Sequence, residues 1–422
     1  MSVGLRWPLL LLLHPLVAHS DTTGAGQAPQ TITRDAVINA ALESDHAVAA
    51  SFEAEALGHL SGVAGVLPDP SLSLMVAPMS LLPDGAAPGI GLGVTQAITW
   101  PASREAARDS AEQREAAARS ATTEASHRGA LQGALLHDRL FLAERSLETI
   151  EAHRLSLEHL REGATAAASQ GLQGTSSLVH LETLLSRLSL RELSLEGEVA
   201  ALREELALWT GRAAGSLRTD PETPLPSPPL AAESEHPLVE RDRALLEAAR
   251  AARRGAEVAK LPRPMVGLAW TNMRMFEEHH LTASVGLTAP LPSTAAARER
   301  AAESREAAAL SRLEWREEQS AIRVAASRER LAAHLATVEE ISERLLPSAN
   351  LRVESLTAAF AAGHSTLLEV VTAIRDEIEA ELALHRAVAS ALSADATLRE
   401  ALGLSPLSSA SAGAAAPHGA DR

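Results

Sequence analysis

The residue types best suited to chemistry gather in one short run. Glu277, Glu278, His279 and His280 offer carboxylates and imidazoles, and Met273 and Met275 add thioethers. Such donors would ligate a soft or borderline metal cation. The run lies between two strand-like segments, however, and reads as a solvated loop over 273–280. Met75, Met79 and Met265 lie in or beside similar segments and read as packing or lipid contacts. Cysteine is absent, so disulfides and thiolate ligands are excluded. No nucleophile elbow, phosphate loop or dinucleotide fingerprint occurs. No catalytic residue, cofactor or bound metal is expected.

The elements that would position any site occur twice, about 190 residues apart. Pro101, Arg114, Glu115 and Ala116-Ala117-Ala118 recur as Pro292, Arg305, Glu306 and Ala307-Ala308-Ala309. Each copy holds two alternating segments, a long charged helical stretch, a Gly-Ser/Thr turn and a second long helix. Repeats of this kind set the architecture before any other signal. The expected order is a signal peptide at 1–20, a first repeat at 21–211 and a Pro/Ser-rich linker at 212–237. A second repeat at 238–403 and a disordered tail at 404–422 follow. The leader carries Arg6, an apolar run and the small-x-small site Ala18-His19-Ser20.

Composition favours long helices over a bulky core. Aromatic residues make up 2% of the 422 residues, and tyrosine is absent. The net charge of −16 argues against nucleic-acid binding, which draws on clustered Lys and Arg. After the leader, no run of apolar residues is long enough for a spanning helix.

Strands are expected at about 70–79, 89–100, 264–271 and 281–290. Ile90, Leu92, Val94, Ile98 and Trp100 alternate with Gly91, Gly93, Thr95, Ala97 and Thr99, so one face is apolar and the other small or polar. That pattern matches transmembrane barrel strands. Four strands cannot close a barrel, and an open edge is not tolerated in a bilayer. Three copies would supply twelve strands.

Helices are expected at 31–60, 103–163, 175–209, 295–362 and 366–403. Thr33 is the expected N-cap of the first, and its counterpart begins near His236. In the 175–209 helix, Leu178, Leu181, Leu185, Leu188, Glu192, Leu195, Val199, Leu202, Leu206 and Trp209 keep a three-four spacing, the seam of a coiled coil. Sixty helical residues span roughly 90 Å, the reach of a conduit across an aqueous compartment.

These residues resemble the TolC family of outer-membrane efflux proteins. Leu67-Pro68-Asp69-Pro70 is similar to the family's segment opening the first strand. Val94-Thr95-Gln96-Ala97-Ile98-Thr99-Trp100-Pro101 resembles its Gln-x-Ile-x-Trp-Pro signature. Leu346-Pro347-Ser348-Ala349, Ala362-Gly363 and Leu367-Leu368-Glu369-Val370-Val371 resemble the approach to the second helical tip. The members most alike serve heavy-metal and cation efflux. The resemblance implies a mainly α fold with a small β part: a trimer sharing a twelve-stranded outer-membrane barrel above a periplasmic helical barrel.

It also implies a passive exit duct for metal cations or small toxic compounds. The partners would be outer-membrane lipid, a periplasmic adaptor and an inner-membrane RND-type pump. A protein-secretion duct and a secreted coiled-coil scaffold are the alternatives. Turns near 163–177 and 360–367 become the periplasmic tips, with Gly174, Ser176, Leu178, Gly363, Ser365 and Leu367 as expected adaptor contacts. Some members close the second tip with a Tyr, an Arg and two acids. The corresponding residues are Phe360, Ser365, Glu369 and Thr372, so only the first acid is kept. Glu369 is the expected pore constriction, where three copies would form a carboxylate ring.

Overall fold

The computed structural model describes residues 30–43, 45–76, 90–169, 175–221, 225–226, 235–273 and 278–406. The expected signal peptide, residues 222–224 and 227–234 of the linker, the chain beyond 406, Gly174, Met79, Met275 and Glu277 lie outside these residues. In chain order the elements are β1 (Gln30–Ile32), α1 (Arg34–Leu42), α2 (Asp45–Val63), β2 (Ser71–Val76), β3 (Ile90–Ala97), α3 (Pro101–Ser169) and α4 (Thr175–Thr210). There follow β4 (Leu217–Thr219), α5 (Pro237–Val258), β5 (Arg263–Met273), β6 (Glu278–Thr288), α6 (Pro292–Glu340), α7 (Leu346–Ala361) and α8 (Leu367–Ala401).

The strands pair antiparallel in the order β2-β3-β5-β6. Register turns alternation into two continuous faces. Leu72, Val94, Leu268 and Ala283 form one row, and Leu74, Leu92, Trp270 and Leu281 the next. On the other face lie Ser71, Thr95, Gly267 and Ser284, then Ser73, Gly93, Ala269 and Thr282. The small face is tight: a Cβ on Gly93 would stand 2.6 Å from Ser73 Oγ. Among the described residues nothing covers the apolar face, and Val285 is 82% exposed.

The helices continue the strands as a curved layer. Next to the sheet, α3 packs between α2 and α5, and α5 in turn packs on α6. Farther away, α3 packs between α4 and α8, and α8 meets α6 and α7. The 69-residue α3 runs through both levels, roughly 100 Å at 1.5 Å per residue. The leucine seam of α4 is buried against α3 as its spacing requires, with Leu181 and Leu206 at 0% exposure. Glu192, the charged seam residue, meets Arg154 of α3 at 2.9 Å.

The structure corrects three sequence expectations. The helix expected at 31–60 is two helices, broken after Leu42. Thr33 is nevertheless the N-cap of α1, its hydroxyl accepting from Ala36 N. Residues 30–32 form a strand, pairing in parallel with 217–219 inside the segment expected to be linker. Glu144, buried on α3, holds that strap in place. Its carboxylate accepts from Thr219 N at 2.8 Å and Thr219 Oγ1 at 2.6 Å, and from Arg203 at 2.7 Å. The helix expected at 295–362 is interrupted by a wide turn at Ile341–Leu345. Pro347 follows immediately; it has no N–H to give the preceding turn and its ring crowds the carbonyl four residues back.

Candidate functional site

The second helical tip is built from local hydrogen bonds. Gly363 takes φ +76°, the left-handed turn that ends α7. Its N–H donates to Phe360 O, and His364 N to Ala359 O. Ser365 Oγ then donates to Leu356 O at 3.0 Å, tying the turn to α7. Thr366 caps α8 by a reciprocal box: Glu369 N donates to Thr366 Oγ1, while Thr366 N donates to the Glu369 carboxylate at 2.7 Å. The Thr366 N–H and hydroxyl hold that carboxyl below its ordinary range. The one acid kept from the tip motif is thus used locally as a helix cap.

The expected tip residues separate into two groups. Gly363 and Ser176 lie at the surface, and Ser365 is half-buried. Leu367 is 1% exposed, in a cluster with Leu157, Leu181, Leu185 and Val371, so it fixes the turn from inside. Leu178 packs on the same cluster. Leu368, 40% exposed, is an apolar tip residue that the sequence expectations passed over. Phe360 also packs on the core cluster, and Thr372 Oγ1 donates to Leu368 O in its own helix. Arg352 and Asp376 add an ion pair between α7 and α8 at 2.9 Å.

Above the tips, α3 and α8 are joined by a ladder of titratable groups. His153 meets Glu381 at 3.1 Å and Thr149 meets His385 at 3.0 Å. Burial pushes His385 below its ordinary value. A second cluster lies at the α1 junction. Arg34 donates to Asp138 at 2.9 Å and to Leu392 O at 2.8 Å, and Arg399 to Asp395 at 2.9 Å. Burial raises the Asp395 carboxyl against the pull of Arg399 and Arg34.

At the sheet end, Trp270 stacks on His279 at 5.7 Å. Trp100 Nε1 donates to Pro262 O at 2.9 Å near the start of the helices. Met75 and Met265 fall on the small-residue face, opposite these tryptophans. Among the described residues, no group of His, Cys, Asp and Glu is arranged to hold a metal. No described helix is long and apolar enough to cross a membrane, a statement that does not bear on strands.

No protein-family model and no curated protein sequence matches the chain. Solved structures do. The outer membrane protein VceC of Vibrio cholerae superposes with a TM-score of 0.77 at 18% identity, over 89% of this chain and 97% of that one. The CmeC outer membrane channel of Campylobacter jejuni gives 0.76 at 11% identity, over 92% of each chain. The open-state MtrE outer membrane channel of Neisseria gonorrhoeae gives 0.73 at 16%, over 88% and 89%. The chain has the fold of these outer-membrane channels.

Proposed function

We propose that this chain is one third of a TolC-like outer-membrane exit duct, working with a periplasmic adaptor and an inner-membrane pump. The observation that carries this reading is that the layer stops short at both edges along its whole length. Among the described residues β2 and β6 each lack an outer neighbour in the sheet, and an unpaired strand edge invites pairing with another chain. Next to the sheet the edge helices are α2 and α6, which leave Phe52 63% and Trp315 54% exposed. Farther down they are α4 and α7, which expose Leu190, Leu193 and Leu351. Strands and helices are unfinished on the same two sides, so identical neighbours in cyclic symmetry complete both at once.

Closure puts the apolar sheet face outward toward lipid and the small face inward, the requirement of a spanning barrel. The duct does no chemistry. Gly174, Ser176, Gly363 and Ser365 are the proposed adaptor contacts, with Leu178 and Leu367 supporting the turns and Glu369 at the constriction. Outer membranes from expressing cells, lightly cross-linked and sized with and without boiling, test the proposal. A heat-modifiable species of three chains is expected. A soluble periplasmic monomer would overturn the duct and favour a secreted coiled-coil scaffold.

A further inference from the structure

The wall of the layer just below the sheet carries a second feature. Between α5 and α6 runs a groove of about 480 Å³, floored by Leu245, Ala249, Ala252 and Ala309. Its rim is Arg298, Arg305 and Arg312 of α6, with Arg114 reaching in from α3. Among the described residues no acidic side chain lines it. The three α6 arginines recur every seven residues, so they stand on one helix face about 10 Å apart. All four are exposed, and among the described residues none makes an ion pair or hydrogen bond. Arginines on the opposite side of α5 are paired: Arg254 with Asp109 at 2.9 Å, and Arg243 with Glu317 at 3.1 Å. In a chain of net charge −16, four unpaired guanidiniums around one groove require a reason. Arg114 and Arg305 are also the repeat-related positions, so both halves send the same residue there.

The hand of the layer identifies the face. Ile98, in line with the apolar rows, donates its N–H to Pro264 O at 2.8 Å. For an L-residue on a strand running down toward the helices, this places β5 to the left of β3 when viewed from the apolar side. The helices keep that order, α3 then α5 then α6. On α5, Leu246 turns to α6 and Gly255 to Ala106 of α3, with the groove residues between them. On a right-handed helix rising toward the sheet, that arrangement turns the groove to the small-residue side. In a closed duct this is the lumen.

We propose that this arginine ladder is an anion-binding stretch of the duct wall, and that it selects amphiphilic organic anions as cargo. The inference rests on the duct reading and names its substrate class. Guanidinium stays charged at every physiological pH, and rings of Arg favour anions in a pore. The alanine floor and Leu245 would take the apolar body of such a solute, while successive arginines pass its charged group along. This charge pattern runs against metal cations as cargo.

The full chain in planar bilayers under a potassium chloride gradient provides the test, with matched hexyl sulfate and hexyltrimethylammonium as probes. The wild-type channel should prefer chloride, and hexyl sulfate should block more strongly than its cationic counterpart. Joint R114Q, R298Q, R305Q and R312Q substitution should lower the chloride preference about twofold or more and equalise the two probes. Cation preference in the wild type overturns the proposal without any variant. So does unchanged selectivity in a variant that still assembles. A wild-type trimer that does not conduct overturns the duct reading itself.

Discussion

The two repeats carry the same Arg-Glu-Ala-Ala-Ala run but use its glutamate under different constraints. Glu306 on α6 accepts from Arg253 of α5 at 3.1 Å and faces Arg250 at 3.7 Å. Glu115 on α3 accepts from Ser61 of α2 and pairs with Arg119 on its own helix. Each carboxylate fastens a long helix to the shorter one that precedes its strands. Their settings differ because α5 is enclosed by α3 and α6, whereas among the described residues α2 packs chiefly on α3. A duplicated sequence therefore yields one internal helix and one edge helix. The edge copy is where the next chain is expected.

The largest way to break this comparison is to charge the edge. Phe52→Glu on α2 should abolish the cross-linked trimer while the isolated chain keeps its helical circular dichroism. A trimer of unchanged stability would mean that α2 is not a joining edge. The matching change on the internal copy acts on folding instead. Leu246 is 3% exposed, packed on Leu313 and Val239. Leu246→Ala should cost about 3 kcal/mol through lost burial and the cavity left behind. Denaturant unfolding measures this, and a cost near zero would remove the distinction between enclosed and edge helix.

A smaller effect sharpens the comparison at the repeated glutamates. Glu306→Gln weakens contacts to two arginines on another helix, whereas Glu115→Gln mainly loses a serine and a pair within one helix. The first should lower the melting temperature more than the second. Equal shifts would show that partners across the helix interface matter no more than the local one.

The same contrast explains how much was legible in the sequence. Alternation at Ile90, Leu92 and Val94 and the seam from Leu178 to Trp209 each follow from a single period, so strand faces and the α4 interface could be read directly. The repeat then supplied their order. The pairing of Gln30–Ile32 with Leu217–Thr219 could not be read, because three-residue strands have too little period and their anchor, Glu144, is distant in sequence. Pro347 is visible in the sequence, but the helical pattern runs on past it. The tip glycines and serines were recognisable as a turn, yet Leu367 and Leu368 look alike in sequence. Only packing shows that one is core and the other surface. The seven-residue arginine spacing was also present in the chain, but whether those charges are neutralised depends on tertiary neighbours.

The smallest predicted effect concerns the α3–α8 ladder, which joins a helix of the first repeat to one of the second. Arg145, Thr149 and His153 face it from α3, and Glu377, Glu381 and His385 from α8. Burial works against a charged His153, but the hydrogen bond and charge of Glu381, with Glu377 beyond, outweigh it and raise the imidazole above 6.5. That contribution is fully present below 6.5 and is lost as pH rises through the raised value. The His153 hydrogen bond holds Glu381 below 4.5. Its contribution is present above 4.5 and is lost as pH falls through the depressed value. The clasp is therefore strongest between about pH 4.5 and 6.5. Glu377, raised by burial, starts to take up a proton toward the acid end of that window. Both partners are partly solvated, so the charge contribution should stay within about 1 kcal/mol. His153→Gln should lower the melting temperature more at about pH 6 than at about pH 8.5, on the alkaline side where the charged clasp is being lost. An equal loss at both would show that packing and neutral hydrogen bonding join α3 to α8, and that charge contributes nothing there.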